Sequence, residues 1–193
     1  MHQRHRLFIA VDPGPAVAAR AGRIAARLRD AGLEAAWVNP AQLHLTLCFL
    51  GDEVDDADLH KICVAMDEAA ATVPAFPVAF GGVGVFPDLR RPRVVWLGVG
   101  AGAAELGSLH DALAARLEPL GFPPEARGFR PHLTLARFRS GRAAASAAGY
   151  AAALDACAAL DGGETAITKV CLYESRLAPT GAEYDRLHVS RLA

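Results

Sequence analysis

The sequence predicts a mixed α and β fold, one domain spanning residues 1–193 and made of two similar halves, and three observations carry that expectation. The tetrad His44-Leu45-Thr46-Leu47 returns as His132-Leu133-Thr134-Leu135, each copy inside a short apolar run that reads as a strand. The order of strand, helix, motif strand, helix and strands in the first half is repeated as helix, motif strand, helix and strands in the second, a duplication rather than a solenoid. At 193 residues the chain suffices for one domain, or for two small lobes sharing a core.

The elements follow in order. The apolar run Leu7-Phe8-Ile9-Ala10-Val11 is a strand that breaks at Asp12-Pro13-Gly14. A helix is expected over residues 15–31, with Pro15 in its first turn and Gly32 as its stop. Asn39-Pro40 turns the chain into the first motif strand, residues 42–50, which ends at Gly51. Asp55 caps a second helix, whose apolar positions Leu59, Ile62, Cys63 and Met66 recur at helical spacing before Pro74. Residues 76–86 read as a strand interrupted by Gly81, Gly82 and Gly84, and residues 93–99 as another. The intervening Pro87-Asp88-Leu89-Arg90-Arg91-Pro92 is an exposed loop. A third helix is expected over 103–117, then a connector over 121–128. The second motif strand starts after Phe129-Arg130-Pro131 and reaches Phe138. An alanine-rich helix over 143–160 precedes strands near 165–174 and 183–189, joined through a hairpin-like Pro179-Thr180-Gly181 turn.

Composition removes several function classes. Lys plus Arg number 20 against 21 for Asp plus Glu, so no global positive field draws the chain to long nucleic acid or to anionic membrane. Any nucleic-acid contact is therefore local. Cys48, Cys63, Cys157 and Cys171 form no Cys-x-x-Cys pair, which argues against zinc-ribbon and thioredoxin-like chemistry and for free thiols. The apolar run 7–11 is too short for a signal peptide, and no stretch approaches the roughly 20 apolar residues of a membrane span. A cytoplasmic protein, expected to be a monomer, fits these features.

On a strand, side chains two apart share a face, so His44 and Thr46 project together, as do His132 and Thr134, roughly 6 to 7 Å apart along each strand. Two such strands facing each other place two imidazoles around one space, with two hydroxyls to hold anionic oxygens. Histidine's pKa of about 6.5 lets one ring hold a proton while the other accepts one. A phosphodiester suits that arrangement, without a metal or other cofactor. Arg130 lies two residues before His132 and faces the same cleft. Strict alternation puts Arg137 on the opposite face, so its use requires β-strand bending, bulging or ending there.

Structural readings compete with each of these. A lone His-x-Thr on an amphipathic strand is commonly structural, but two copies at corresponding places are not readily explained so. A zinc site needs a third protein ligand, and the motif strands supply no carboxylate or cysteine in both copies. His60 and His110 in helices and His188 in the last strand read as surface or half-buried. Gly81-Gly82-Val83-Gly84 lacks the Lys-Ser/Thr and the helix of a phosphate loop. Arg90, Arg91 and Arg93 suit either an RNA backbone or a solvated loop, and Phe8, Phe49 and Trp96 suit the core better than a stacking surface.

These residues resemble the 2H phosphoesterases, and within them the bacterial and archaeal RNA 2′,3′-cyclic phosphodiesterases, also called 2′-5′ RNA ligases. The resemblance rests on His44-Leu45-Thr46-Leu47 with Phe49-Leu50-Gly51, and on Arg130-Pro131-His132-Leu133-Thr134-Leu135-Ala136-Arg137. Weaker matches extend along most of the chain, among them Val85-Phe86-Pro87 and Leu172-Tyr173-Glu174-Ser175. The resemblance implies a bilobal α+β fold with antiparallel sheets lining a central cleft. It implies metal-independent hydrolysis of a terminal 2′,3′-cyclic phosphate to a 2′-phosphate, on RNA ends or cyclic nucleotides. It further implies His44 as proton donor, His132 as proton acceptor, and Thr46, Thr134 and Arg137 on the phosphate. The residues alone leave acid and base unassigned between the two histidines. Joining RNA ends through a 2′-5′ linkage is the same chemistry reversed, and no nucleotide-triphosphate motif is present to drive it. The alternatives are the same chemistry on ADP-ribose 1″,2″-cyclic phosphate or a small nucleotide, and a nucleotide- or RNA-binding module without catalysis.

Overall fold

The computed structural model describes residues 3–126, 128–138, 147–178 and 181–193. Its strands are β1 (Arg4–Val11), β2 (Ala36–Trp37), β3 (Leu45–Asp55), β4 (Phe76–Phe86), β5 (Val94–Val99), β6 (His132–Arg137), β7 (Asp161–Ile167), β8 (Lys169–Ala178) and β9 (Gly181–Arg191). Its helices are α1 (Gly14–Asp30), α2 (Leu59–Ala70), α3 (Ala103–Leu117) and α4 (Ala147–Asp155). The strands form two antiparallel sheets, ordered β3-β1-β8-β9 and β2-β6-β5-β4-β7. The fold is α+β, and each sheet carries one copy of the motif.

The apolar run of β1 occupies the interior of the first sheet, and Leu7 through Val11 are all buried. In α1, Val17, Ala21, Ile24, Ala25 and Leu28 recur at helical spacing and form its buried stripe. The helix ends at Gly32, whose φ of +87° suits a residue without a Cβ. There the Gly32 N–H donates to Arg29 O at 2.9 Å and the Leu33 N–H to Leu28 O at 3.1 Å, closing the carbonyls that a helix end leaves open. Asp55 caps as expected, accepting from the Ala57 N–H at 3.0 Å, but the cap starts a single 3-10 turn that leads into α2.

The structure revises several expectations. The first motif strand runs on past Gly51 to Asp55, and His44 stands just before it, after a 3-10 turn over Pro40–Gln42. The strand expected over 165–174 is two strands: β7 pairs with β4 in the second sheet, whereas β8 pairs with β1 in the first. The helix expected over 143–160 spans Ala147–Asp155; its expected first residues, and Pro179 and Thr180 of the turn before β9, lie outside the described residues. The spatial lobes also interleave the sequence halves. α1 packs on β6 and β7 of the second sheet, while α2 and α3 pack on each other and on β3, β8 and β9 of the first. One apolar core runs through both layers.

Of the β4 glycines, Gly84 makes room for a neighbouring ring. Gly84 pairs with Trp96 of β5, and the indole ring occupies the space a Cβ at position 84 would need. Among the described residues no helix is long and apolar enough to cross a membrane.

Candidate active site

Both motif copies end on the same irregularity. Where β1 advances from Ile9 to Ala10, its partner on β3 steps from Cys48 to Thr46, leaving Leu47 as an extra residue. Where β5 advances from Val95 to Trp96, its partner on β6 steps from Ala136 to Thr134, leaving Leu135 extra. A bulge resets the alternation by one residue. Leu135 and Ala136 are accordingly both buried, and Arg137 returns to the side of His132. The condition that alternation set for using Arg137 is thereby met. The bulged carbonyls find partners outside the ladder: Leu135 O accepts from the Val38 N–H at 2.9 Å, and Leu47 O from His110 Nδ1 at 2.9 Å.

The two histidines are held alike. His44 Nδ1 lies 2.9 Å from Gln42 O and His132 Nδ1 lies 2.7 Å from Arg130 O, in each case the carbonyl two residues back. A carbonyl only accepts, so each Nδ1 carries the hydrogen and each neutral ring presents Nε2 as its acceptor. Among the described residues neither Nε2 has a hydrogen-bond partner. The Gln42 segment is itself tied down, because its side-chain amide donates to Ala182 O of β9 at 2.9 Å.

Their surroundings differ. His44 lies among rings, with Phe8 at 4.7 Å and Tyr184 edge-on at 4.9 Å between centroids. It lines a cavity of about 340 Å³ shared with Phe8, Tyr173 and Tyr184. His132 has Phe86 edge-on at 5.0 Å and lines a larger cleft of about 970 Å³. That cleft also receives Thr46, Arg130 and Arg137, together with Arg91 and Arg93 from the loop before β5. Thr134 is half-buried on β6 and lines neither cavity. The structure therefore gathers His132, Thr46, Arg130 and Arg137 directly and sets His44 close by, within reach of the charges of His132 and Arg137.

Burial pulls both imidazoles below their ordinary pKa. For His44, the positive charges of Arg137 and His132 add to burial, against the hydrogen bond to Gln42 O. For His132, Arg137 adds to burial, while the Arg130 carbonyl and the Glu125 carboxylate oppose it. Only His132 therefore has an acidic neighbour among the causes that set its proton affinity. Cys48 also lines the cleft, but burial, with Glu125 nearby, pushes its thiol up to about 12, which removes it as a nucleophile.

Two cleft residues escape the sequence reading. His110 is half-buried, yet it lines the cleft and lies flat on Phe129, 4.5 Å between centroids and 4° between planes. Its place beside the buried stripe Leu106, Leu109, Leu113 and Leu117 signals half-burial but not what it meets. Glu125 stands in an irregular connector, where no periodicity points to a partner. Among the described residues no three of His, Cys, Asp and Glu gather as metal ligands.

Known proteins resemble this chain in sequence and in fold. The sequence profile of the 2′-5′ RNA ligase superfamily matches residues 13–178. An RNA 2′,3′-cyclic phosphodiesterase of Methanothermobacter thermautotrophicus is 33% identical over 187 residues, covering 97% of this chain and 98% of that protein. One from Aeropyrum pernix is 39% identical over 127 residues, 63% of this chain and 69% of that protein. Among solved structures, TT0787 of Thermus thermophilus superposes with a TM-score of 0.80 at 29% identity, covering 97% of both chains. E. coli LigT complexed with NADP+ superposes at 0.74 and 26% identity, covering 98% of both. The chain belongs to the 2′-5′ RNA ligase superfamily.

Proposed function

We propose that this protein is an RNA 2′,3′-cyclic phosphodiesterase that opens a terminal 2′,3′-cyclic phosphate to a 2′-phosphate by two-histidine acid/base catalysis without a metal. The observation that carries the reading is the pair of imidazoles, each fixed through Nδ1 with Nε2 left for chemistry, beside a cleft supplied with arginines. The names of the relatives support the substrate class.

In the proposed reaction a water attacks phosphorus and gives its proton to His132 Nε2. The bond from phosphorus to the 3′ oxygen breaks as His44 donates a proton to that oxygen. Thr46, Arg130 and Arg137 hold the phosphoryl oxygens, and Thr134 assists from the strand of His132. Each proton transfer contributes about 10² to 10⁴ in rate, and fixed donors on the phosphoryl oxygens add to it. Because both rings are shifted toward the neutral form in the free protein, one must gain a proton when the substrate binds. The phosphate anion supplies the cause, since a negative charge beside an imidazole favours its charged form. Ligation is the reverse step, with a ribose hydroxyl in place of water, and in water hydrolysis dominates by mass action.

The protein is proposed to act as a single-domain monomer in the cytoplasm. Free cysteines support the compartment. Among the described residues, Val64, Leu187 and Val189 are the exposed large apolar side chains, too few for an extensive oligomer interface.

The test is turnover of an RNA bearing a 2′,3′-cyclic end in the presence of a chelator, with the position of the product phosphate determined. The expected product carries a 2′-phosphate. A 3′-phosphate product, or activity lost on chelation, contradicts the mechanism.

A further inference from the structure

The larger cleft is lined by two chemically different sets of residues. One is cationic and hydroxylic: His132, Thr46, Arg130 and Arg137. The other is apolar: Phe122, Pro123, Pro124 and Phe129, with Ala114 and Leu117 of α3. At about 970 Å³ the cleft is far larger than a ribose cyclic phosphate needs, and it falls within the range that encloses a whole drug-sized ligand. A nucleobase gains most from aromatic and apolar faces. A cleft that offers cationic groups and such faces together matches a nucleoside joined to its phosphate.

Among the described residues, two polar side chains that line the cleft with these rings, His110 and Glu125, can both accept. His110 gives its Nδ1–H to Leu47 O, so in the neutral ring its Nε2 can only accept. That nitrogen is neither hydrogen-bonded nor sealed from solvent among the described residues. Glu125 lines the same cleft, and its charge reaches both Cys48 and His132. A carboxylate also only accepts. A ring edge facing these two groups must therefore donate. The amino groups of adenine, cytosine and guanine do so, whereas uracil flanks its one N–H with two carbonyl oxygens.

We propose that the cleft residues Phe122, Phe129, His110 and Glu125 make a subsite for the base of the terminal nucleotide, selecting bases that carry an amino group. The inference rests on the cyclic phosphodiesterase reading and adds a recognition element to it.

The experiment compares kcat/KM for the 2′,3′-cyclic phosphates of adenosine, cytidine, guanosine and uridine with that for methyl ribofuranoside 2,3-cyclic phosphate, which has no base. Removing the base is expected to lower kcat/KM by about tenfold or more, with uridine the poorest of the four nucleotides. Phe129→Ala and, independently of the His110 stack, Phe122→Ala should each shrink the advantage of the nucleotides over the baseless compound. Glu125→Gln should narrow the gap between uridine and the others. Equal turnover with and without a base overturns the subsite and leaves the phosphodiesterase reading standing. Uridine as the best substrate overturns the amino selectivity. Turnover of none of the five compounds overturns the phosphodiesterase reading and this inference with it.

Discussion

The two copies of His-Leu-Thr-Leu share a sequence, a bulge and a hydrogen bond, yet they stand in unlike places. In both, an Nδ1–H meets the carbonyl two residues back and the fourth residue bulges. Around His44 are Phe8, Tyr173 and Tyr184, and the charges acting on it are positive. Around His132 lie an open cleft, the arginines that line it and Glu125. The lesson is that a short motif fixes what is local, the tautomer and the direction of the ring. Proton affinity is set by groups from elsewhere in the chain. Equal letters thus stand in unequal electrostatic surroundings, the arrangement that pushes the pKa values of an acid and a base apart.

The largest effects should come from the histidines. His44→Ala and His132→Ala are each expected to lower kcat by about 10² to 10⁴ with the circular dichroism spectrum unchanged. The double variant should fall little further, because both rings serve one step. Full activity in either single variant breaks the comparison. Next is Arg137→Ala, expected to reduce kcat/KM by about 10- to 100-fold through lost charge-assisted bonds to phosphate. Because the guanidinium holds both imidazoles down, its removal should raise both pKa values, and the acid limb of the pH profile should move to higher pH.

The threonines sharpen the comparison at smaller amplitude. Thr46 is exposed in the cleft whereas Thr134 is half-buried and lines neither cavity. Thr46→Val should therefore cost about fivefold in kcat/KM, one hydrogen bond's worth, and Thr134→Val less. Equal losses would show that the copies act symmetrically. Smallest is the effect of Glu125→Gln on ionisation. It should lower the pKa of His132 further and leave that of His44 in place, since Glu125 acts on His132 alone of the two.

Much of this site was legible in the sequence because the motif is short-range. The period-2 pattern gave the faces of His132 and Thr134, and Pro15 and Gly32 bracketed α1. Arg137 was legible only as a condition: the bulge at Leu135 that satisfies it arises from pairing with β5, and nothing in the letters of β6 announces it. The split of the tail at Thr168 was hidden for a similar reason. β7 and β8 are nearly continuous in sequence, and their separation exists only through their partners β4 and β1. His110 and Glu125 enter the cleft from a helix flank and an irregular connector, so their role depends on tertiary contact.

The most direct test of unequal imidazoles is a nitrogen-15 NMR titration of His44 and His132 in the free protein and with a nucleoside 2′-monophosphate bound. In the free protein both rings should be protonated on Nδ1 when neutral and titrate below the ordinary histidine value. On binding the two should separate, with His44 taking up the proton it donates in the reaction. A proton taken up by His132 instead, or two rings that titrate together in both states, would contradict the account.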